Sequence, residues 1–420
     1  MPVVYRLLTL LLTPLALVRL QRGETRPGRW RERLGRLEGL SPGRVWIHAA
    51  SVGEINAAQG LVNGLLERGE SLVVSTMTVT GGERCRALFG ERVEHRYLAL
   101  DNPFAVKAWL AGVRPRLGLI IETEIWPELF ARCRALDIPL LMISARISDA
   151  AMRRYRRFPR LFGAALNGIA LATCQTQTDA ERLSTLGLPP TRARVAGNLK
   201  FDLALPAGLR EQAKALQSQW HRRPAWTAGS TRPGEEEILI AAHRRLRLSQ
   251  PDALLILAPR HPDRAADIAS LLDREAINWV YFGQQPEPQT GVVLVARLGV
   301  LMACYAASQV AFVGASLVGL GGHNLLEPAA LARPVLAGPN LHQQAEAARA
   351  LDASGGLIRV ADAAALARCL AQLLADPDQA QDMGQAARRA LDGGRGSLDR
   401  TLSAIAPWLA AAGAPGQRSS

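Results

Sequence analysis

Lysine, cysteine and aromatic residues are all scarce in this 420-residue chain, and each scarcity excludes something. The five cysteines (Cys85, Cys133, Cys174, Cys304 and Cys369) are odd in number and scattered, with no pair at metal-ligand spacing. A disulfide framework and a zinc site are thereby excluded, and reduced, mostly buried thiols in a cytoplasmic setting are predicted. Aromatic residues make up 5% of the chain and do not interleave with its basic stretches, so no nucleic-acid reader motif forms. The sequence also lacks a Gly-x-x-x-x-Gly-Lys-Ser/Thr loop, a Gly-x-Gly-x-x-Gly turn and a Gly-x-Ser-x-Gly elbow. Their absence argues against an NTPase, a nicotinamide enzyme and an α/β-hydrolase. No low-complexity tract or internal repeat is present.

What is present is a chain 48% apolar and too long for one ordinary core, so two domains are expected. Short apolar runs alternate with helical patterns. Val45–His48, Leu72–Thr76, Leu117–Ile121, Leu140–Ser144 and Gly168–Ala172 read as strands, with helical stretches such as Phe104–Leu110 and Glu128–Leu136 between them. A second series comprises Ala225–Ala228, Leu254–Ala258, Trp279–Phe282, Val292–Val295, Val310–Val313 and Val335–Ala337. This rhythm predicts βαβ units and parallel sheets covered on both faces. The expected class is α/β, with two doubly wound domains facing a cleft. The rhythm breaks at Ala204–Gly208, where a polar helix over Leu209–Gln219 leads into His221-Arg222-Arg223-Pro224. The divisions read from the chain are 1–36, 37–205, a connection over 206–224, 225–400, and a final helix and tail over 401–420. The last apolar helix, Ser397–Ala411, is expected to pack back across the junction, and the tail Gly413–Ser420 to be disordered.

Charge is unevenly placed. Residues 1–200 carry 29 basic and 17 acidic side chains, a net of +12, whereas residues 201–420 carry 21 and 20, a net of +1. A basic half facing an anionic partner follows, and the amino terminus favours a phosphorylated lipid or anionic bilayer over nucleic acid. Leu7–Val18 is apolar but short of the ~20 residues that span a bilayer. Arg19, Arg22, Arg26, Arg29, Arg31, Arg33 and Arg36 follow it, where a signal peptide would carry a small-residue cleavage site. The reading is a monotopic helix in the interface of the cytoplasmic leaflet, with Trp30 near headgroup depth. A helix packed on the protein and a single spanning anchor are the alternatives.

The most informative motif is Ser51-Val52-Gly53-Glu54, at a tight turn between the strand Val45–His48 and a helical pattern. Small Ser51 and Gly53 let backbone approach a ligand. Glu54 falls in the first helical turn. It is either a capping charge favoured by the helix dipole or a general base aimed into the cleft above a parallel sheet. Farther on, Glu122-Thr123-Glu124 places two carboxylates after a buried strand, and Ser144-Ala145-Arg146 ends the next. Gly197-Asn198-Leu199-Lys200-Phe201-Asp202 holds one of only three lysines against 47 arginines. Keeping lysine there points to a need for a compact ammonium charge.

In the second half, Ser230 and Thr231 lie at a strand-to-helix turn suited to an anion. Pro259-Arg260 ends a core strand with a guanidinium suited to phosphate or carboxylate. Gly321-Gly322-His323-Asn324-Leu325-Leu326-Glu327 combines adjacent glycines with a helix start, where backbone N–H groups can meet a phosphate. Glu327 is placed to accept from a ribose, or else to close a capping box with Asn324.

Taken together, these motifs resemble, in order and over nearly the whole chain, the 3-deoxy-D-manno-octulosonic acid (Kdo) transferases of lipopolysaccharide assembly. The stretches that carry the resemblance are Ser51–Glu54, Glu122-Thr123-Glu124-Ile125-Trp126-Pro127, Gly197–Asp202, Pro259-Arg260-His261-Pro262 and Gly321–Asn324. The resemblance implies a two-lobed glycosyltransferase of the B type that inverts configuration. Its acceptor domain comes first and its CMP-sugar domain second. It implies CMP-Kdo as donor, a lipid A precursor as acceptor, and no cofactor, since the donor already carries an activated leaving group. By position, Glu54 is the implied base, and Glu122 and Lys200 are implied to stabilise the transition state. CMP contacts are implied for Pro259-Arg260, the Leu298-Gly299-Val300 turn, and Asn324 through Glu327. The chain departs from the family where Val300 replaces an acidic residue, Arg232 a histidine and Glu128 an asparagine. Two rivals remain: a nucleotide-sugar 2-epimerase on the same scaffold, and a non-catalytic anionic-lipid or RNA binder.

Overall fold

A computed structural model describes residues 2–21, 29–37 and 39–411. The chain divides into two compact units, residues 1–202 with 395–420, and residues 203–394. Arg22, Arg26 and the tail Gly413–Ser420 lie outside the described residues.

The first unit is built on strands β1 (Val45–His48), β2 (Leu72–Thr76), β3 (Glu94–Tyr97), β4 (Leu117–Ile121), β5 (Leu140–Ala145), β6 (Leu171–Cys174) and β7 (Ala193–Val195). They form one parallel sheet in the order β3-β2-β1-β4-β5-β6-β7. Alternate residues of a strand point to opposite faces, and both faces are covered. Trp46, Val73, Ile120 and Met142 enter one core, while Val45, Ile47, Val74, Leu119 and Ile143 enter the other. That is why the central strands read as unbroken apolar runs.

The second unit repeats the plan with β8 (Ala225–Thr231), β9 (Leu254–Pro259), β10 (Trp279–Tyr281), β11 (Val292–Leu294), β12 (Val310–Val313), β13 (Val335–Ala337) and β14 (Leu357–Arg359). Their parallel order is β10-β11-β9-β8-β12-β13-β14. Trp226, Leu255 and Leu257 face one core, and Ala225, Leu254 and Ile256 the other.

Three strands escape the sequence reading: β3, β7 and β14. All are sheet edges, paired on one side only, and Glu94-His95-Arg96-Tyr97 and Ala193-Arg194-Val195 show no apolar run. The strand expected at Gly168–Ala172 is shifted to Leu171–Cys174. The helix Leu209–Gln219 packs Leu209, Ala213 and Leu216 into the second unit's core. The helix Ser397–Ala411 lies in the first unit, where Leu402 and Ile405 join the core of the Val52–Glu67 helix. Asp202 fixes its start by accepting from Gly396 N–H at 2.7 Å and Leu398 N–H at 2.6 Å.

The amino-terminal helix Val3–Gln21 is tied to the first unit by one polar side. Tyr5 donates to Asp101 at 2.6 Å, Arg6 grips the buried Glu128 with two bonds of 2.8 and 2.9 Å, and Asn102 donates to Thr13 at 3.1 Å. Glu128, one of the departures from the family pattern, thus serves as the helix's receptor. No helix among the described residues is long and apolar enough to cross a membrane.

Candidate active site

In the first unit, strand order brings the sequence motifs together. The chain leaves β1 to one side through β2 and β3, and resumes on the other with β4. Between β1 and β4 lies the topological switch point, where doubly wound sheets open a crevice at their carboxyl ends. Glu54 follows β1 and Glu122 follows β4, so both carboxylates flank that crevice.

Glu54 stands in the first turn of the helix Val52–Glu67. Ser51 is its N-cap, extended at φ −132° and ψ 171°, and makes no capping bond through its side chain. Instead Ala50 N–H donates to one Glu54 oxygen at 2.5 Å, and the Ser51 hydroxyl to the other at 3.3 Å. The carboxyl thus closes the helix start, as the capping reading expects, and the backbone fixes where it points. Gly53 has ordinary negative φ, and an added Cβ would meet only Ser51 Oγ at 3.8 Å. Its missing side chain leaves open space beside Glu54. Burial, then the charges of Glu124 and Glu122, push the Glu54 carboxyl up to about 8, against the pull of the Ala50 and Ser51 bonds. A carboxyl held near 8 is a far stronger base than an ordinary glutamate.

Glu122 pairs with Lys200 Nζ at 2.6 Å, both groups only partly exposed. Lys200 is carried on a 3₁₀ turn, Leu199–Phe201, that Asn198 caps by accepting from Lys200 N–H at 3.0 Å. Gln175 links this turn to β5, accepting from Asn198 at 3.3 Å and donating to the Ser144 carbonyl at 3.0 Å. Glu124, which the sequence reading quoted without a role, is the third carboxylate here. Burial raises its pKa.

The second unit repeats the geometry around its own switch point, between β8 and β12. Ser230 and Thr231 end β8, Pro259 ends β9 with Arg260 next, and the loop after β12 runs from Gly314 to Leu325, with Glu327 in the first turn of the helix Leu326–Ala330. Arg260 N–H donates to the Thr231 carbonyl at 3.0 Å, which brings the two strand ends together. The Arg232 guanidinium donates to His261 Nε2 at 2.6 Å. Burial, followed by Arg260, Arg232 and His261, pushes His323 down to about 4, so that it is neutral. The resulting cluster of cations with neutral imidazoles suits an anion. The helix Leu301–Ala307 packs over Gly229, where an added Cβ would stand within 2.1 Å of the Tyr305 hydroxyl. That packing fixes the helix, and with it Val300 at its N-cap, against β8.

Several expectations change here. Thr231 is fully buried: its hydroxyl donates to Glu236 at 2.8 Å and its carbonyl is engaged by Arg260 N–H, so it acts as packing beneath the turn. Gly321 and Gly322 have φ of 91° and 80° and press on the chain's own His342, Gln343 and Leu341. Folding by itself already requires glycine at both positions. Asn324 accepts from Leu326 N–H at 3.1 Å and reaches Glu327 at 3.4 Å. The cap is therefore real; Leu325 and Leu326 are both buried, and the Leu326 N–H is taken up by that cap. Four residues, Glu122, Ser144, Ser230 and Ala315, have φ of 55–61° at the carboxyl ends of β4, β5, β8 and β12. Such strain, of order ~1 kcal/mol each, persists where surrounding structure enforces it.

Sequence reasoning missed Glu235. It is fully buried and accepts from the N–H groups of Ala315, Ser316, Leu317 and Arg232 at 2.7–3.0 Å. One carboxylate thus joins the β8 turn to the β12 loop. The only hint in the sequence was a run of three glutamates, Glu235–Glu237, at a helix start. Glu235→Ala strands four donors and should cost about 3 kcal/mol or more, read as a lowered unfolding midpoint.

Residues 28–203 match the family model described as 3-deoxy-D-manno-octulosonic-acid transferase (kdotransferase). A 3-deoxy-D-manno-octulosonic acid transferase of Haemophilus influenzae is 36% identical over 418 residues, covering 96% of this chain and 98% of that protein. One from Bordetella pertussis is 36% identical over 376 residues, covering 87% of each. The crystal structure of UDP-GlcNAc 2-epimerase from Neisseria meningitidis bound to UDP-GlcNAc aligns with a TM-score of 0.59 at 13% identity, covering 87% of this chain and all of that one. At that identity the likeness shows the shared fold alone. On the strength of the full-length relatives, the chain belongs to the 3-deoxy-D-manno-octulosonic-acid transferase family and is a glycosyltransferase.

Proposed function

We propose that this enzyme moves Kdo from CMP-Kdo to a lipid A precursor, lipid IVA, with inversion, at the cytoplasmic face of the inner membrane. The observation that carries the reading is the half-buried Glu54 carboxyl, clamped by Ala50 and raised to about 8 beside the Glu122–Lys200 pair. Glu54 takes the proton from the acceptor hydroxyl. The freed oxygen attacks the anomeric carbon of Kdo as the bond to the cytidylate phosphate breaks, and CMP leaves with the electron pair. Arg260 and the backbone N–H groups near Asn324 neutralise the departing phosphate. Lys200 offsets negative charge at the attacking side. Incubation with CMP-Kdo and lipid IVA, followed by mass spectrometry of the lipid, tests this. Each transfer adds one Kdo mass, and CMP-Kdo consumed with no change in the lipid would overturn it. The epimerase rival is disfavoured because the epimerase likeness stops at the fold.

The membrane reading is supported by the amino-terminal helix. While Tyr5, Arg6 and Thr13 hold it to the protein, Val3, Leu7, Leu11, Leu15 and Val18 stand more than half exposed along its length. An apolar stripe of this kind lies in a lipid interface. Leu11→Asp with Leu15→Asp should lower co-sedimentation with lipid vesicles at least ~10-fold, since each buried leucine contributes ~1.5–3 kcal/mol. Unchanged sedimentation would refute the lipid-facing role.

A further inference from the structure

A second surface of the first unit carries charge that the catalytic scheme does not use. Residues 150–178 contain no aspartate or glutamate. Within them, the helices Asp149–Tyr155 and Pro159–Leu166 meet at a tight corner. Arg153, Arg154, Arg156, Arg157 and Arg160 are all exposed there. None of the five forms an ion pair among the described residues. The nearest acid in sequence, Asp149, is already engaged by Arg182.

The corner is stiff. Tyr155 is buried and packs on Phe162 with ring centres 4.5 Å apart. Phe158 N–H donates to the Tyr155 carbonyl at 3.1 Å, and Pro159 opens the next helix. Phe158 itself is turned outward and is 60% exposed at the apex. Arg154 lies over the Tyr155 ring, donates to its hydroxyl at 3.3 Å and lends its charge to Glu124, but an aromatic ring held out by a turn and flanked by four further exposed arginines without ion pairs does not serve folding. It matches a headgroup layer, where the ring enters the acyl boundary and guanidiniums meet phosphates.

Its position in the fold agrees. The two helices follow the carboxyl end of β5, and the Pro159–Leu166 helix packs on the helix Pro127–Ala135. The first turn of that same helix carries Glu128, which grips Arg6 of the amino-terminal helix. The corner and the amino-terminal helix are therefore both tied to one element, at the sheet edge that bears the candidate active site.

We propose that the Arg153–Arg160 corner, with Phe158 at its tip, is a second membrane-docking surface that binds the phosphates of an anionic bilayer. This rests on the lipid-facing reading above and adds a recognition element with its own lipid dependence. A stripe of leucines binds bilayers of any charge, whereas five arginines make binding depend on anionic lipid.

The test uses the full-length protein and co-sedimentation with two sets of vesicles, phosphatidylcholine alone and phosphatidylcholine with phosphatidylglycerol. Arg153→Ala/Arg156→Ala/Arg157→Ala should weaken binding to the anionic vesicles by about 10²-fold, at about fivefold per arginine. Binding to phosphatidylcholine should stay within about twofold, because headgroups without net charge offer the arginines little. Phe158→Ser should weaken binding to both. Thermal unfolding by circular dichroism, matched to wild type, serves as the check that the variants are folded. If wild-type protein binds neither vesicle, the lipid reading itself fails. If wild-type binds and the triple variant binds anionic vesicles equally well, the corner alone is refuted. A loss of polyuridylate binding with unchanged vesicle binding would assign the corner to RNA and equally overturn it.

Discussion

Replacing Glu54 by glutamine is expected to slow Kdo transfer by at least about 10²-fold, the lower end for removal of a general base. Glutamine is nearly the same shape and still accepts from Ala50 N–H through its carbonyl, so the turn should survive. CMP affinity should remain, because the residues assigned to CMP stand on the second unit. A near-normal rate in purified protein would sink the base assignment.

The same carboxyl makes a separate thermodynamic forecast. Its pKa is raised from 4.5 to about 8 in the folded protein. The folded state therefore holds a proton that the unfolded chain has released. Stability from this group is fully present below pH about 4.5 and is lost as pH rises toward and through about 8. Glutamine cannot ionise, so Glu54→Gln should unfold at a higher temperature than wild type at pH 8.5 and lose that advantage at pH 4.5. Parallel melting curves at the two pH values decide it. An inactive but more stable variant is the pattern of a site that gives up stability to hold a strong base. In the unliganded enzyme, kcat/KM should climb through about pH 8 as the carboxyl ionises.

Lys200→Ala should be the second large loss, about 10²–10³-fold in transfer, the range for removing one preorganised charge from a reacting centre. Two effects combine. The ammonium no longer offsets developing charge, and Glu122 is left without its 2.6 Å partner. An uncompensated Glu122 further disfavours ionisation of Glu54, so the acid limb of the pH profile should move to higher pH. Glu122→Gln in the Lys200→Ala background should return that limb toward its original position without restoring the rate. Such non-additivity is expected of groups acting as one unit. Lys200→Arg should rescue incompletely, because a planar fork does not replace a point charge on the Asn198-capped turn. Wild-type turnover in Lys200→Ala would mean that lysine stands there by chance.

The legible parts of this protein share a physical origin. Interior strands of a parallel sheet are buried on both faces, so β1, β4, β9 and β12 appear as apolar runs within a residue or two of their true limits. Turns after those strands need small or polar residues, which made Ser51–Glu54, Ser230–Thr231 and Pro259–Arg260 visible. Edge strands such as β3 and β7 are paired on one side and so keep no such signature. Gly321-Gly322 was legible as a motif but not in meaning. Its positive φ and its contact with Leu341–Gln343 arise from a loop that approaches only in three dimensions.

The family came from the resemblance of whole motifs to the Kdo transferases; local patterning alone yielded the α/β class, the doubled architecture, and Glu54, Glu122 and Lys200 as residues of interest. Spacing and side-chain type express those directly. Tertiary structure alone decided that β1 lies beside β4 and β8 beside β12, since strand order is a matter of long-range pairing. That order buries Glu54 and sets it near two further carboxylates distant in sequence, and burial first, then their charges, raise its pKa to about 8. It also made Glu235 a buried clasp and Glu128 a receptor for Arg6. Burial and Coulomb fields act through space, and no reading along the chain measures the distances on which they depend.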